Sequence, residues 1–221
     1  MKINLVNFTD NAKELLIFSK TTRLLNSPDS FQRIKEMTEE DKDREIRYIF
    51  STIKSSLEFV DYVFLIQDVT RAFTHQLVRH RVGVSFAQQS QRTVDVSGFY
   101  YSTPESLVAE NRLKYVLAMD RINESYRELV NCGVAPEDAR GILPTNIYTN
   151  ILMKINLRSL SEMMNSRLCN RAQKEFRDVM NIIQAAVVAV HPWAESILHC
   201  YCDIHKKCFF KNGKGCKKYG E

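Results

Sequence analysis

The order in which strand-like and helix-like segments follow one another is the feature that most constrains the fold of this chain. Residues 57–69 and 146–157 are rich in aromatic, β-branched and other apolar residues typical of strands, and residues 1–6 resemble a further strand. The stretches between and after them carry apolar residues at helical spacing. Since the two types do not alternate regularly, we predict an α+β fold with a mixed or antiparallel sheet packed with long helices, and not a doubly wound sheet.

The predicted helices differ in length and in how clearly their ends are marked. They are expected at residues 11–25, 38–50, 105–130, 137–141 and 158–198, the last with a break before Pro192. Thr70 is expected to cap another helix that runs through His80, and Pro104 to open the helix at 105–130. Residues 82–96 are polar and predict a loop that breaks at Gly83 and then enters an extended stretch.

Length and composition predict one domain without a membrane partner. The 221 residues include only 7 Gly and 5 Pro, and we predict one domain over residues 1–198 followed by a Cys- and Lys-rich extension over 199–221. No apolar run approaches membrane-spanning length, and the first residues lack the apolar stretch of a secretory signal. A cytoplasmic location is therefore expected. The net charge of +5 suits anionic ligands, including both nucleotides and nucleic acid.

Two polar segments carry the clearest chemical signal. The segment from Gln76 to Arg81 ends in an Arg-His-Arg triplet, and a second one runs from Gln88 to Arg92. Three strong donors at a helix end are costly to desolvate unless an anion or an acceptor-rich ring lies nearby. A triplet of this kind by itself is more often a solvated basic helix end. Together with the hydroxyl and guanidinium of the second segment, it suits a phosphate group and the edge of a uracil.

Arg79-His80-Arg81, eight residues and then Ser90 resembles the signature of the flavin-dependent thymidylate synthases. Gln76 and Arg92 also match that family, and further segments match it in the same order. Residues 55–58 resemble its flavin-contacting segment, and Arg140 with residues 143–149 resembles its Arg and Leu-Pro stretch. Residues 156–160 with Arg167 are similar to its Asn-x-Arg-Ser-Leu helix start and later catalytic arginine. The resemblance covers roughly residues 50 to 195.

The resemblance implies an enzyme that reductively methylates dUMP to dTMP. Methylenetetrahydrofolate would donate the carbon, FAD would carry the hydride and NADPH would be the reductant. Arg167 would be catalytic, because a guanidinium beside the uracil stabilises an anion at N3. The residues implied for FAD are Ser55, Glu58, Arg79, His80, Arg81, Gln88, Asn156, Arg158 and Glu162. Those implied for dUMP are Gln76, Arg79, Gln88, Gln89, Ser90, Gln91, Arg92, Arg140 and Arg167. No metal site is implied.

The spacing of two arginines on the last predicted helix bears on assembly. Arg158 and Arg167 are nine residues apart, hence about 180° around one helix. They are not expected to reach the same ligand from one chain, and the family resembled is tetrameric. We therefore predict a homo-oligomer, a tetramer with active sites shared between subunits.

Departures from the family pattern leave two other functions open. Ile53, Gln88 and Glu162 stand where the family often has other residues, so a flavin-dependent hydroxymethylase of dUMP or dCMP is an alternative. Glu162 also lies four residues after Arg158, which suits an ordinary helical ion pair as well as a flavin role. A basic nucleic-acid-binding protein explains the charge but not the spacing of the arginines, so a nucleic-acid partner is not expected.

The end of the chain combines cysteines with lysines. Cys200, Cys202, His205 and Cys208 suit a zinc site by residue type, although their spacing matches no zinc module and Cys216 lies further on. The sequence leaves three interpretations: a disordered basic tail with incidental thiols, an extension clipped by a metal, or a contact with nucleic acid or another partner.

Overall fold

The computed structural model describes residues 1–21, 28–52 and 54–208. The strands are β1 (Lys2–Phe8), β2 (Asp61–Thr70), β3 (Val84–Gln88) and β4 (Tyr148–Asn156). The helices are α1 (Ala12–Lys20), α2 (Pro28–Lys35), α3 (Glu39–Thr52), α4 (Arg71–Leu77), α5 (Ala109–Asn131), α6 (Pro136–Ala139), α7 (Leu157–Arg167), α8 (Lys174–Val190) and α9 (Tyr201–His205). Short 3-10 helices occupy Lys54–Phe59, Arg140–Ile142 and Pro192–Ile197. In the described ranges, every helix is too short or too polar to span a bilayer.

One four-stranded sheet has the strand order β1-β2-β4-β3. Leu157 N donates to Val60 O and Arg71 N donates to Ile147 O, so β2 and β4 run antiparallel. Asn156 N donates to Gly83 O and Gln89 N donates to Asn150 O, so β3 and β4 also run antiparallel. The predicted α+β class with an antiparallel sheet and long helices is confirmed.

The central strands alternate buried and less buried residues, as expected for strands with one face on a core. In β2 the buried side chains include Tyr62, Phe64 and Ile66, and in β4 they include Ile151 and Ile155. The strand-forming residues that predicted these elements therefore supply the interior of the sheet. The hydroxyl of the buried Tyr62 lies 2.9 Å from Nδ1 of His191, which gives both polar groups a partner.

The chain divides into two compact units. One contains residues 1–2, 66–79 and 87–152, and the other contains the described parts of 3–65 together with 80–86 and 153–208. The buried residues of the first include Phe73, Leu77 and Tyr126. Those of the second include Leu16, Ile49, Phe176 and Ile183. The prediction of one domain over residues 1–198 with a separate extension stays a prediction.

Several predicted element boundaries were wrong. The helix capped by Thr70 ends at Leu77 and not at His80, and the helix expected from residue 105 begins at Ala109. Residues 84–88, directly after the break predicted at Gly83, form the strand β3, so the extended stretch begins earlier in the predicted loop than expected. The helix expected over 158–198 is interrupted after Arg167, which was not predicted, whereas its end at Val190 agrees with the break expected before Pro192. Residues 22–25 of the first predicted helix lie outside the described residues.

Candidate active site

The Arg-His-Arg triplet follows α4 as irregular chain. Arg79 N donates to Gln76 O at 3.3 Å in the turn that ends the helix, and His80 and Arg81 lie beyond that turn. The side chains of Arg79 and Arg81 are exposed, whereas His80 is half-buried. The helix that was predicted to run through His80 therefore does not include the triplet.

His80 accepts a hydrogen bond from the predicted catalytic arginine. Arg167 Nε donates to His80 Nε2 at 3.2 Å, and the His80 ring meets the Phe176 ring edge-on at 6.3 Å between centroids. Burial, and then the positive charge of Arg167, lower the pKa of His80 below its ordinary 6.5. Since Nε2 accepts this bond, the neutral imidazole carries its proton on Nδ1. His80 therefore accepts one N–H of the arginine and has its own N–H donor at Nδ1.

Arg167 ends α7 and stacks on an aromatic ring. Its guanidinium carbon lies 4.7 Å from the centroid of the Phe176 ring, which suits a cation–π contact. The imidazole of His80 and the ring of Phe176 therefore hold this guanidinium from two directions.

Asn156 begins α7 and is part of the backbone framework of the site. Its Oδ1 accepts from Ser159 N at 2.8 Å, as an N-cap does, and Ser159 Oγ donates to Val82 O at 2.7 Å. Gly83 adopts φ of +65° next to both side chains. This close packing joins the start of α7 to the residues that follow the Arg-His-Arg triplet. The flavin role of Asn156 stays a prediction beside this capping role.

Arg158 lies between two carboxylates. Its Nη1 is 2.6 Å from Glu58 Oε1, and its Nε is 3.2 Å from Glu162 Oε1. The helical ion pair expected from the spacing of Arg158 and Glu162 therefore forms. All three side chains are accessible to solvent, as is the nearby Ser55, so they can also contact a ligand. Their flavin roles stay predictions.

The polar segment from Gln88 to Arg92 is tied to its own unit. Gln88 Nε2 donates to Thr74 Oγ1 at 3.0 Å and to Thr149 Oγ1 at 3.4 Å. Gln89 Oε1 accepts from Asn150 Nδ2, and Ser90 Oγ accepts from Arg92 N. These bonds set the conformation of the segment. The amide nitrogen of Gln88 is already engaged, so its two predicted ligand roles depend on its oxygen or on rearrangement.

Glu137 holds two of the predicted substrate arginines in the same unit. Its Oε2 accepts from Arg92 Nε at 2.6 Å, and its carbonyl oxygen accepts from Arg140 Nε at 3.0 Å. Both guanidiniums are exposed and keep further N–H groups for a ligand.

A surface cavity of about 290 Å³ lies in the first unit beside Arg140. Its lining is Arg71, His75, Gln91, Arg140, Gly141, Leu143, Pro144 and Thr145. Arg71 Nη1 is buried and meets no hydrogen-bond acceptor among the described residues. Burial, and then the charge of Arg140, lower the pKa of Arg71. Arg71 and Arg140 carry like charges, and a buried N–H donor of Arg71 has no acceptor among the described residues. Both features favour binding of an anion in this cavity.

Arg71 and His75 were not predicted as site residues. They are four residues apart on α4, so the sequence signal was a pair of basic residues on one face of a helix already predicted from its cap. Gln91 and Arg140, which were predicted, line the same cavity.

A larger cavity of about 490 Å³ in the first unit has a different character. Asp68 and Asp95 contribute carboxylates, and Tyr100 and Tyr148 contribute rings. The negative charge makes this cavity less suited to a phosphate than the one beside Arg71.

The predicted residues divide between the two units by their expected ligand. Most of the dUMP set lies in the first unit: Gln76, Arg79, Gln88 to Arg92 and Arg140. Most of the FAD set lies in the second: Ser55, Glu58, His80, Arg81, Asn156, Arg158 and Glu162, as does Arg167.

A protein-family model described as "Thymidylate synthase complementing protein" matches residues 4–193. The chain belongs to this family. A flavin-dependent thymidylate synthase from Sulfurisphaera tokodaii is 37% identical over 218 residues, covering 96% of this chain and 82% of that protein. Another, from Saccharolobus solfataricus, is 33% identical over 216 residues with the same two coverages. These matches confirm the predicted family and an enzyme of the flavin-dependent thymidylate synthase type.

A solved structure of another protein shares the fold of this chain. The crystal structure of PolB, a UMP/dUMP methylase from Streptomyces cacaoi bound with 5-Br dUMP, superposes with a TM-score of 0.73. The two sequences are 20% identical, and the match covers 89% of this chain and 93% of the other. The likeness therefore extends over most of both chains.

Proposed function

We propose that this protein is a flavin-dependent thymidylate synthase that converts dUMP to dTMP. Its family and its named relatives support the reaction, and the likeness to PolB, a UMP/dUMP methylase, supports a uridine monophosphate as substrate. The observation that carries the substrate assignment is the cavity between Arg71 and Arg140. A buried guanidinium donor without a described acceptor, next to a second guanidinium, suits the phosphate of a nucleotide.

Arg71 and Arg140 would hold the phosphate, with His75 and Gln91 as further donors. The cavity, at about 290 Å³, lies just below the range of about 300–1,000 Å³ usual for ligand sites. It therefore suits the phosphate end of dUMP better than the whole nucleotide. The other residues proposed for dUMP are Gln76, Arg79, Gln88, Gln89, Ser90, Arg92 and Arg167.

The second unit has donors that fit a flavin dinucleotide. Arg81 and Ser55 are exposed, and His80 carries a proton on Nδ1, so a guanidinium, a hydroxyl and an imidazole N–H are present for anionic and acceptor-rich groups. Arg79, Gln88, Asn156 and the Glu58–Arg158–Glu162 group complete the proposed FAD set. When bound, FAD reduced by NADPH supplies the hydride, and methylenetetrahydrofolate supplies the carbon.

Arg167 is the proposed catalytic residue. Its guanidinium would stabilise negative charge at the N3 edge of the uracil, which favours attack by C5 on the carbon donor. His80 and Phe176 orient the guanidinium in advance, and this saves reorganisation during the reaction. A neutral His80 also avoids adding a second positive charge that would repel Arg167.

We also propose that the enzyme is a homo-oligomer, a tetramer with active sites shared between subunits. Leu113 and Leu117 of α5 are 61% and 48% exposed, and Val108 before it is 66% exposed. They are among the apolar residues at helical spacing from which a helix was predicted over residues 105–130. Their exposure supports a face covered by another copy of the chain.

Product analysis tests the proposed reaction. Purified protein with FAD, NADPH, methylenetetrahydrofolate and dUMP should form dTMP, whereas parallel reactions with dCMP or UMP separate the substrate alternatives. Arg167→Gln should keep bound flavin and lose about 100- to 1,000-fold in turnover, the scale for one transition-state donor. A hydroxymethylated product, or wild-type turnover by Arg167→Gln, would contradict the corresponding part of the proposal.

A pair of charge-matched variants tests the phosphate site. Arg71→Met should weaken dUMP binding by about 10- to 100-fold, because one charge-assisted hydrogen bond contributes about 1.5–3 kcal/mol. Arg47→Met removes the same charge from an exposed position on α3 and should leave the affinity unchanged. Deoxyuridine, which lacks the phosphate, should bind the wild type and Arg71→Met equally. Equal dUMP affinities for both variants would contradict the assignment of the phosphate to this cavity.

A further inference from the structure

Two cysteines and an aspartate come together where α9 begins. Cys200 Sγ and Cys202 Sγ are 3.4 Å apart, and Asp203 supplies a carboxylate oxygen. All three ligand atoms lie within 4.8 Å of one another. Cys200 is buried, and the other two residues are half-buried. None of them has a role in the proposed reaction.

The separation of the two sulfurs is close to that of a metal-bound pair. Tetrahedral zinc with Zn–S bonds of about 2.3 Å holds two thiolates about 3.8 Å apart, and a carboxylate oxygen binds it at about 2.0–2.2 Å. The pair at 3.4 Å needs only a small opening to reach this geometry. It is also well beyond the length of about 2.0 Å for a disulfide bond.

The surroundings of the cluster show which elements a metal would join. The Cys200 thiol contacts the carbonyl oxygen of Asn165 in α7 at 3.6 Å, and α9 packs on α7. A metal here would fix the start of α9 beside the end of α7, the helix that carries Arg167.

We propose that Cys200, Cys202 and Asp203 bind a divalent cation of the zinc class, with the remaining coordination completed by solvent. The site is a structural clip near the end of the chain. It differs in composition from the set expected from the sequence. His205 stacks on Tyr201 and Cys208 is not part of the described cluster, whereas Asp203 is. Cys216 lies outside the described residues.

Metal titration of tag-free full-length protein tests the site. One equivalent of Co²⁺ should bind per chain, give thiolate-to-cobalt charge-transfer absorption, and be displaced by Zn²⁺. The double variant Cys200→Ser/Cys202→Ser should lose both the stoichiometry and the absorption. Cys132→Ser, which removes an exposed thiol at the end of α5, should keep them.

A second variant keeps the test independent of folding. Asp203→Asn retains both thiols and should still bind cobalt, with at least about 10-fold weaker affinity. Zn²⁺ should raise the midpoint of thermal unfolding of the wild type and not that of the double variant, because a ligand bound only by the folded state stabilises it. Absence of metal binding by the reduced wild type, unchanged absorption in the double variant, or a Cys200–Cys202 disulfide in the purified protein would overturn the proposal.

Discussion

Gly83 connects the Arg-His-Arg segment to α7, and replacing it by alanine should be costly. A Cβ at this position would lie 2.3 Å from Asn156 Nδ2 and 2.4 Å from Ser159 Oγ. The residue also has φ of +65°, which costs a non-glycine residue about 1–2 kcal/mol. Displacement of Asn156 would weaken the N-cap by about 1 kcal/mol, and displacement of Ser159 would cost its bond to Val82 O, about 1 kcal/mol. The sum is about 3–4 kcal/mol.

The chain offers a control that has the same backbone strain without the close contacts. Gly98 has φ of +75°, and a Cβ added to it would meet no described atom within 4 Å. Gly98→Ala should therefore cost only the conformational part, about 1–2 kcal/mol. The difference between the two variants isolates the contacts with Asn156 and Ser159, at about 2 kcal/mol.

Urea and thermal unfolding followed by circular dichroism measure this difference. At about 2–4 °C per kcal/mol for a chain of this size, Gly83→Ala should unfold roughly 4–8 °C below Gly98→Ala. Equal midpoints for the two variants would refute the claim that the packing of Gly83 supports the start of α7. A lower midpoint for Gly98→Ala would refute it more strongly.

Two further predictions concern buried polar groups. Tyr62→Phe should lower the free energy of unfolding by about 1–3 kcal/mol, because His191 Nδ1 loses a buried partner; Tyr100→Phe, at an 82% exposed position, should change it little in the same urea titration. The pKa of His80 followed by NMR should lie below 6.5 and rise in Arg167→Met. Because the unfolded chain protonates this imidazole near its ordinary pKa of 6.5, the stability that depends on neutral His80 should be present above that pH and lost as the pH falls towards the lower folded-state pKa. A folded-state pKa at or above 6.5 would contradict this assignment.

The sequence was sufficient for the elements with strong local signals. Thr70 caps α4 through a bond from Phe73 N, and the strand-forming runs at β2 and β4 form the centre of the sheet. Thr38 accepts from Asp41 N just before α3, where a helix was predicted to begin. In each case the deciding interaction lies within a few residues of the chain, so composition and spacing contain it.

The boundaries that were wrong depend on contacts that helical spacing does not contain. The break between α7 and α8 contains neither Gly nor Pro; its carbonyls at Asn170 and Ala172 accept instead from Arg177. The chain near Pro104 is held short of the helix start, since Ser102 N donates to Asn146 O. Helical spacing predicts neither the bonds of Arg177 to the chain just before its own helix nor the contact of Ser102 with a segment far away in sequence.

In the candidate site, too, residues within a motif were predicted from the sequence, whereas contacts between separate segments were not. The Arg-His-Arg triplet and Arg167 were found from motifs, but their bond through His80 joins residues 87 positions apart. Arg71 was missed because its importance comes from burial and from the neighbouring Arg140, neither of which its sequence position reveals.

Glu137 has a consequence for how the proposed dUMP site would bind its ligand. By binding Arg92 through its carboxylate and Arg140 through its backbone, this one residue keeps two cationic side chains ordered before any nucleotide arrives. Part of the entropic cost of immobilising them is thus met during folding and not during capture of the ligand. In the proposed dUMP site, the carboxylate of Glu137 would also compete with the phosphate of the ligand for Arg92.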